Sequence, residues 1–223
     1  MTARRPPRKV LQGRFIRLEP LVPAALPELA DVLRRPEVFA GGWGGGPSGL
    51  PASREAFVAW FTRTWPFGGN VYGVRITSGP DEGRIVGTTT LADFDLEAEH
   101  AHLGWTAYAP EVWGTQVNPE AKLLLLGLAF DSGFGRVKLQ ADERNARSRE
   151  AILRLGATYE GVARRDKLRA DGSWRNTAVY SILIDEWPDV RRRLEDRLEE
   201  LGDQPVRLGT PPLGEGPLGS KHD

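Results

Sequence analysis

The chain has 223 residues, 40% of them hydrophobic and 27% charged, so it can bury a substantial core and fits one α/β domain better than two. Its 30 Lys and Arg residues balance 30 Asp and Glu residues, which leaves no overall charge to favour nucleic acid or an anionic membrane as a partner. It has no cysteine and only three histidines, which excludes disulfides and a cysteine nucleophile and argues against a metal site.

Residues 1–9 are basic and contain prolines, and they predict a disordered, solvated arm. No secretion signal follows this arm. The longest apolar run, Leu123 to Phe130, is far shorter than the roughly 20 residues that span a bilayer. These features predict a cytoplasmic protein that binds neither a membrane nor nucleic acid.

Hydrophobic periodicity and turn residues predict alternating strands and helices along the rest of the chain. In chain order they are strand 10–21, helix 27–35, a glycine-rich loop at 41–47, helix 53–65, strands 71–77, 84–92 and 100–108, loop 109–118, helix 119–131, strand 137–141, helix 146–155, a hairpin of 158–169 and 174–184, and helix 188–201.

The order of these elements predicts a mixed sheet. The three strands between 71 and 108 form an antiparallel meander, whereas the strand–helix–strand–helix order that follows requires a crossover and some parallel pairing. The dipeptide Asp171-Gly172 predicts the tight turn of the last hairpin. Residues 202–223 are rich in proline and glycine and predict a disordered tail, so residues 10–201 form a single domain.

The segment Pro110 to Lys122 predicts an anion-binding loop. Asn118 suits a helix N-cap and Pro119 the first helical position, directly after a loop that contains Gly114. A helix start in this context presents unpaired backbone N–H groups, together with the positive end of the helix dipole, to a pyrophosphate. Most N-capped helices bind no anion, so this feature alone does not establish the function.

The segment Trp113-Gly114-Thr115-Gln116-Val117-Asn118, with Pro119-Glu120-Ala121-Lys122 after it, resembles the pyrophosphate loop of the GNAT N-acetyltransferases. The resemblance extends through Asp142 to Gly156 and through Val179-Tyr180-Ser181-Ile182, and within the superfamily it is strongest to ribosomal-protein N-terminal acetyltransferases. Three positions depart from the family pattern Gln/Arg-x-x-Gly-x-Gly/Ala: Trp113, Gln116 and Asn118. A side chain at Gln116 would crowd a bound phosphate unless φ there is negative.

The resemblance implies a GNAT fold, an α/β sheet of about six or seven mainly antiparallel strands, flanked by helices and splayed to admit acetyl-CoA. It implies that strand residues near Trp105 pair with the pantetheine arm and polarise the thioester carbonyl. The cofactor-binding residues implied in this way are Trp105, Thr106, Ala107, Trp113, Gly114, Thr115, Gln116, Val117, Asn118, Asn145 and Ser148.

Catalytic roles follow the same resemblance. Ser148 is the candidate for protonating the leaving thiolate, with N-capping of its helix an equal alternative, and Asn145 either binds the pantetheine amide or caps that helix. Glu160 is the preferred general base over three other titratable residues near predicted strand ends: Glu99, His102 and Asp93. Trp43, in its glycine-rich loop, is the candidate for lining the acceptor pocket, whereas core packing is the default for Trp60 and Trp65.

The function expected is transfer of an acetyl group from acetyl-CoA to a primary amine, by direct attack in a ternary complex without a metal. The acceptor is a protein N-terminus or a small-molecule amine. A non-catalytic acyl-CoA-sensing or protein-interaction module on the same fold is the alternative that the Gln116 departure leaves open. The apolar face of helix 188–201 predicts either packing into the core or a homodimer.

Overall fold

The computed structural model of the chain describes residues 3–208. Its strands are β1 Leu11–Gln12, β2 Ile16–Pro20, β3 Asn70–Ile76, β4 Ile85–Asp95, β5 His100–Tyr108, β6 Arg136–Asp142, β7 Thr158–Leu168 and β8 Trp174–Leu183. Its α-helices are α1 Leu26–Leu33, α2 Pro36–Ala40, α3 Arg54–Thr64, α4 Val117–Asp131, α5 Ala146–Arg154 and α6 Trp187–Glu200.

The strands form one eight-stranded sheet in the order β1-β2-β3-β4-β5-β6-β8-β7. Every neighbouring pair is antiparallel except β5 and β6, which are parallel and joined by the crossover helix α4. The prediction of a mixed, mainly antiparallel sheet is therefore confirmed.

The additional strand arises because the predicted strand 10–21 is broken by a turn between β1 and β2. Glu120 of α4 holds this turn: its carboxylate accepts hydrogen bonds from the amides of Arg14, Phe15 and Ile16 at 2.7–2.8 Å. Gly13 is required at the turn because a Cβ there would lie 2.5 Å from Glu120 Cδ. A contact more than 100 residues distant in sequence thus divides a segment that reads locally as one strand.

Helices cover both faces of the sheet and create two apolar clusters. On one face α1 and α3 bury Leu29, Phe57 and Phe61 against the sheet. On the other face α4 and α6 bury Leu125 and Leu194 with the central strands. Among residues 3–208, no helix is both long and apolar enough to cross a membrane.

The sheet opens between its two halves. β5 and β6 pair at only three positions, and the rest of each strand diverges from the other, so that a cleft enters the sheet from the carboxyl end of β5. The paired positions are His100 with Arg136, Ala101 with Val137, and His102 with Lys138.

The described part of the N-terminal segment, residues 3–9, has no helix or strand, yet it contacts the domain instead of forming the expected disordered arm. Ala3 is buried, the amide of Arg4 donates to the carbonyl of Ser132 at 2.9 Å, and Arg8 donates to the carbonyl of Leu21 at 2.7 Å. Its cations find carbonyl partners on the domain, which accounts for the difference. At the other end, Val206 is buried, and the predicted disorder of 209–223 lies outside the described residues.

Candidate active site

The cleft between β5 and β6 has a volume of about 1590 Å³ and is the place where most of the expected site residues meet. One wall is residues 102–108 of β5, and the other is residues 139–142 of β6. The N-terminal end of α4 and one face of α6 border one end, and the glycine-rich loop 41–45 with the β7–β8 hairpin borders the other. The N-terminal end of α5 lies beside the glycine-rich loop, because a Cβ on Gly41 would be 3.2 Å from Asn145 Nδ2.

A β-bulge shapes the β5 wall. The register of β4 with β5 moves from Thr88–Ala107 to Thr90–Gly104, so Trp105 and Thr106 together face one residue, Thr89. Trp105 has a φ of 50°, a left-handed conformation that costs a non-glycine residue about 1–3 kcal/mol. Bulges of this kind redirect side chains and leave a backbone group outside the ladder. The bulge therefore lies where the resemblance expects backbone contact with the acyl group.

The predicted anion-binding loop lies at the start of α4. Gly114 has a φ of 78°, and a Cβ added there would meet no atom within 4 Å. Within residues 3–208 no hydrogen-bond acceptor contacts the amides of Gly114, Gln116 and Asn118. The helix begins at Val117 with Gln116 as N-cap, so the expected N-cap role of Asn118 is wrong: Asn118 lies in the first turn. These free amides suit a pyrophosphate.

Gln116 is turned away from the cleft. Its φ of −64° is helical, and its side-chain amide donates to the carbonyls of Leu201 and Gly202 at 3.2 and 3.0 Å. The residue is buried beneath the end of α6 and does not line the cleft. A glutamine at a position where the family has glycine therefore leaves the loop open to phosphate.

The floor of the cleft contains a buried lysine that sequence reasoning did not single out. Lys122 of α4 is 6% exposed, lines the cleft and donates to Thr106 Oγ1 at 2.9 Å. Thr106 in turn shares a 2.9 Å hydrogen bond with Thr89. Burial lowers the pKa of Lys122 to about 7. In the sequence, the only indication that Lys122 is buried was the apolar character of its helix, whose burial includes the face that carries Lys122.

Arginines border the α4 end of the cleft. The Arg147 guanidinium stacks 3.4 Å from the centre of the Trp113 ring, whose indole N–H donates to the carbonyl of Tyr108 at 3.0 Å. Burial lowers the pKa of Arg147. Further arginines on this rim are Arg154, Arg193 and Arg197. A polyanionic ligand such as coenzyme A gains from this concentration of positive charge.

His102 lies at the vertex of the cleft, in the last residue pair that joins β5 to β6. Its Nδ1 is 3.0 Å from Asp93 Oδ2, and its Nε2 is buried with no hydrogen-bond partner among the described residues. Burial lowers the pKa of His102, the hydrogen bond to Asp93 raises it, and the charges of Lys138 and Lys167 lower it further. The net direction is downward, so the imidazole is neutral at pH 7.

The two glutamates that were candidate bases lie outside the cleft. The Glu160 carboxylate is held by Arg136 and accepts from the Ser181 hydroxyl at 2.8 Å. Glu99 caps the connection to β6 through its carbonyl, which accepts from the amides of Gly135 and Arg136. Neither residue lines the cleft, so the preferred catalytic role of Glu160 has no geometric support.

Asn145 and Ser148 both line the cleft at the start of α5. Asn145 is the N-cap of this helix, with its Oδ1 accepting from the Ser148 amide at 3.0 Å. Because the cap uses the backbone N–H of Ser148, the Ser148 hydroxyl is left for another partner. The alternative in which Ser148 itself caps the helix is therefore wrong.

Trp43 belongs to an aromatic cluster although six glycines surround it in sequence. Its ring lies 5.0 Å from Phe39, 5.4 Å from Trp60 and 5.3 Å from Trp65. Trp43, Trp60 and Trp65 also line the cleft, so the rings that pack against one another in this cluster also form part of the cleft surface. The loop crosses to the far half of the sheet, where a Cβ on Gly45 would lie 3.4 Å from Ala170.

Comparison with known proteins agrees with this geometry. The acetyltransferase (GNAT) domain family matches residues 16–158. A structure solved as an acetyltransferase from T. thermophilus is 34% identical, with a TM-score of 0.73 over 85% of this chain and 97% of that chain. A GCN5-related N-acetyltransferase from Brucella melitensis is 25% identical, with a TM-score of 0.78 over 87% of each chain. No curated protein sequence matches the chain.

A ribosomal-protein-serine acetyltransferase structure from Vibrio cholerae has the same fold, with 19% identity and a TM-score of 0.63 over 78% of this chain and 97% of that chain. The splayed sheet and the open loop at α4 belong to an acetyltransferase fold. The chain belongs to the GNAT acetyltransferase family, whose members transfer acetyl groups from acetyl-CoA.

Proposed function

We propose that the protein acetylates a primary amine, on a protein N-terminus or a small molecule, by direct attack within a ternary complex with acetyl-CoA. The observation that carries the proposal is His102, a neutral imidazole at the vertex of the cleft whose Nε2 is buried without a partner in the described part of the chain. A buried polar atom without a partner is costly, so its presence in a cleft indicates a ligand.

The residues at the two ends of the cleft bind different reactants, acetyl-CoA at one end and the amine at the other. The free amides at Gly114, Gln116 and Asn118 and the arginine rim suit the phosphates of acetyl-CoA. The bulge at Trp105 offers backbone donors to the acyl oxygen. The glycine-rich loop and the β7–β8 hairpin leave the opposite end for the amine. Bound acetyl-CoA supplies the activated acetyl group.

His102 is the proposed general base in place of Glu160. Because Nδ1–H donates to Asp93, Nε2 carries the lone pair that accepts a proton from the attacking amine. Asp93 fixes the ring orientation and stabilises the imidazolium that forms. The lysines near His102 also favour the unprotonated form of an amine placed beside them.

Ser148 is the proposed proton donor to the departing thiolate. Its hydroxyl lies in the cleft at the start of α5, where the helix dipole also stabilises developing negative charge. The acyl-CoA-sensing alternative depended on Gln116 blocking the phosphate loop. Since Gln116 faces residues 201–204 instead, no observation favours that alternative.

The test combines calorimetry with acetyl-CoA and thiol release over a panel of amines, using the wild type, His102→Gln and Ser148→Ala. We expect both variants to bind acetyl-CoA like the wild type, with turnover falling about 100-fold or more for His102→Gln, the usual range for a general base. His100→Gln, at the exposed start of the same strand, is the matched control and keeps full turnover. No acetyl-CoA binding at millimolar concentration, or full turnover in His102→Gln, would contradict the proposal.

A further inference from the structure

Two cations face each other at the acceptor end of the cleft. Lys167 of β7 is the register partner of Arg175 of β8, and both line the cleft. Like charges directly opposite each other in an antiparallel pair are destabilising. Burial and the neighbouring Arg175 lower the pKa of Lys167, in keeping with that repulsion.

The nearby carboxylates are already engaged. Asp142 receives two hydrogen bonds from Arg169 at 2.9 Å, and Asp166 accepts from the Thr177 hydroxyl at 2.7 Å. In the described part of the chain neither Lys167 nor Arg175 forms an ion pair. Asp142 and Asp166 act on Arg175 only through longer-range attraction. The pair therefore retains positive charge for a ligand.

The unpaired hydrogen-bond donors of this region point to the same chemistry. Arg175 Nε and the indole nitrogens of Trp43 and Trp65 are buried without partners among residues 3–208, and all three residues line the cleft. Each of these atoms can only donate. A ligand that satisfies them must bring oxygen atoms that accept hydrogen bonds, and the adjacent cations favour oxygens that carry negative charge.

We propose that the acceptor of this acetyltransferase is an amine that carries a carboxylate, and that Arg175 and Lys167 form the subsite that binds this carboxylate. This inference rests on the proposed function, because it requires the amine of the acceptor to face His102. The shared chemistry fits two sources, the carboxylate of a small amino acid and an acidic residue near the N-terminus of a peptide. One exposed carboxylate, that of Glu37, also lines the cleft. Glu37 lies on α2, whereas Lys167 and Arg175 lie on β7 and β8.

Matched acceptors separate the carboxylate from the amine. β-Alanine is compared with β-alaninamide for the small-molecule source, and Ser-Asp amide with Ser-Asn amide for the peptide source, each at saturating acetyl-CoA. We expect the carboxylate member of one pair to have a kcat/KM at least about tenfold higher, mainly through KM, because the carboxylate pairs with the half-buried guanidinium of Arg175 beside Lys167. Arg175→Gln and Lys167→Gln remove that preference. Arg164→Gln, an exposed cation of the same strand outside the cleft, keeps it.

A binding measurement makes the result independent of turnover. N-Acetyl-β-alanine and its amide, and the N-acetyl forms of both peptides, are titrated into the CoA-saturated protein. If a carboxylate form binds more tightly than its amide and Arg175→Gln abolishes this difference, the subsite is supported. If, in addition, no amine is acetylated, only the proposed function fails. Turnover of amines with equal kcat/KM and equal product affinity within both pairs overturns the subsite while the proposed function stands.

Discussion

Lys122→Met is expected to stabilise the protein in the absence of acetyl-CoA. Burial lowers the pKa of Lys122 from 10.5 to about 7, and no charged neighbour contributes to this change. Each unit of pKa corresponds to about 1.4 kcal/mol, so a protonated Lys122 costs the folded protein about 5 kcal/mol, and somewhat less at pH 7 where it is half neutral. Loss of the hydrogen bond to Thr106 offsets about 1 kcal/mol, which leaves a net gain of about 3 kcal/mol for methionine at pH 7.

The sign of the pH dependence follows from linkage. The folded pKa lies below the unfolded value, so the unfolded state binds more protons between pH 7 and 10.5. The cost of Lys122 is therefore fully present below pH 7 and fades as pH rises toward 10.5. Between pH 7 and pH 9 the advantage of the methionine variant should shrink by about 2 kcal/mol.

The assay is urea unfolding of the wild type and Lys122→Met at pH 7 and pH 9, with the free energy of unfolding extrapolated to water. Lys9→Met removes an exposed lysine and serves as the control, with a stability difference near zero at both pH values. A difference between wild type and Lys122→Met that does not change with pH would refute the reasoning. So would destabilisation by the methionine at both pH values.

Three further changes test contacts around the site. Asp93→Asn removes the hydrogen bond that raises the pKa of His102, so the acid limb of the pH profile of kcat/KM should move to lower pH. An acid limb at the wild-type pH would exclude His102 as the base. Gln116→Ala should lower the free energy of unfolding, measured in urea, by about 1–3 kcal/mol, because the carbonyls of Leu201 and Gly202 lose their donor. Calorimetry should show an unchanged affinity for acetyl-CoA, and weaker binding would show that Gln116 contributes to the cofactor site. Glu120→Gln should cost roughly 2–4 kcal/mol because three amides lose a charged acceptor, and a urea midpoint equal to that of the wild type would contradict this.

The elements whose signals are local were predicted well. The predicted helix 53–65 is α3, with Ser53 as its N-cap, and the apolar periodicity of α4 and α6 places both helices within about two residues. The glycine-containing loop before α4 was also visible, because Gly114 and the start of a buried helix are adjacent in sequence. What could be predicted of the site was therefore the loop before α4, which we propose binds the phosphates of acetyl-CoA.

The chemistry at the other end depends on contacts that no local pattern contains. Asp93 and His102 meet across β4 and β5, where bulges displace the register, so alternation along either strand does not predict their contact. Trp43 finds its aromatic partners on α2 and α3, although the loop around it gives no sign of a core. Glu160 was preferred because it begins a strand, and only the pairing of β7 with β8 reveals that its carboxylate meets Arg136 and Ser181.

Several unfavourable features of this molecule lie along one cleft. Trp105 has a strained backbone, Lys122 is buried without a counter-ion among residues 3–208, Lys167 opposes Arg175, and His102 Nε2 lacks a partner there. A protein selected for stability alone would lose such features, since each can be removed by a single substitution. Their occurrence together, around the cleft where β5 and β6 separate, is the physical argument that these strands are held apart to bind and position reacting groups.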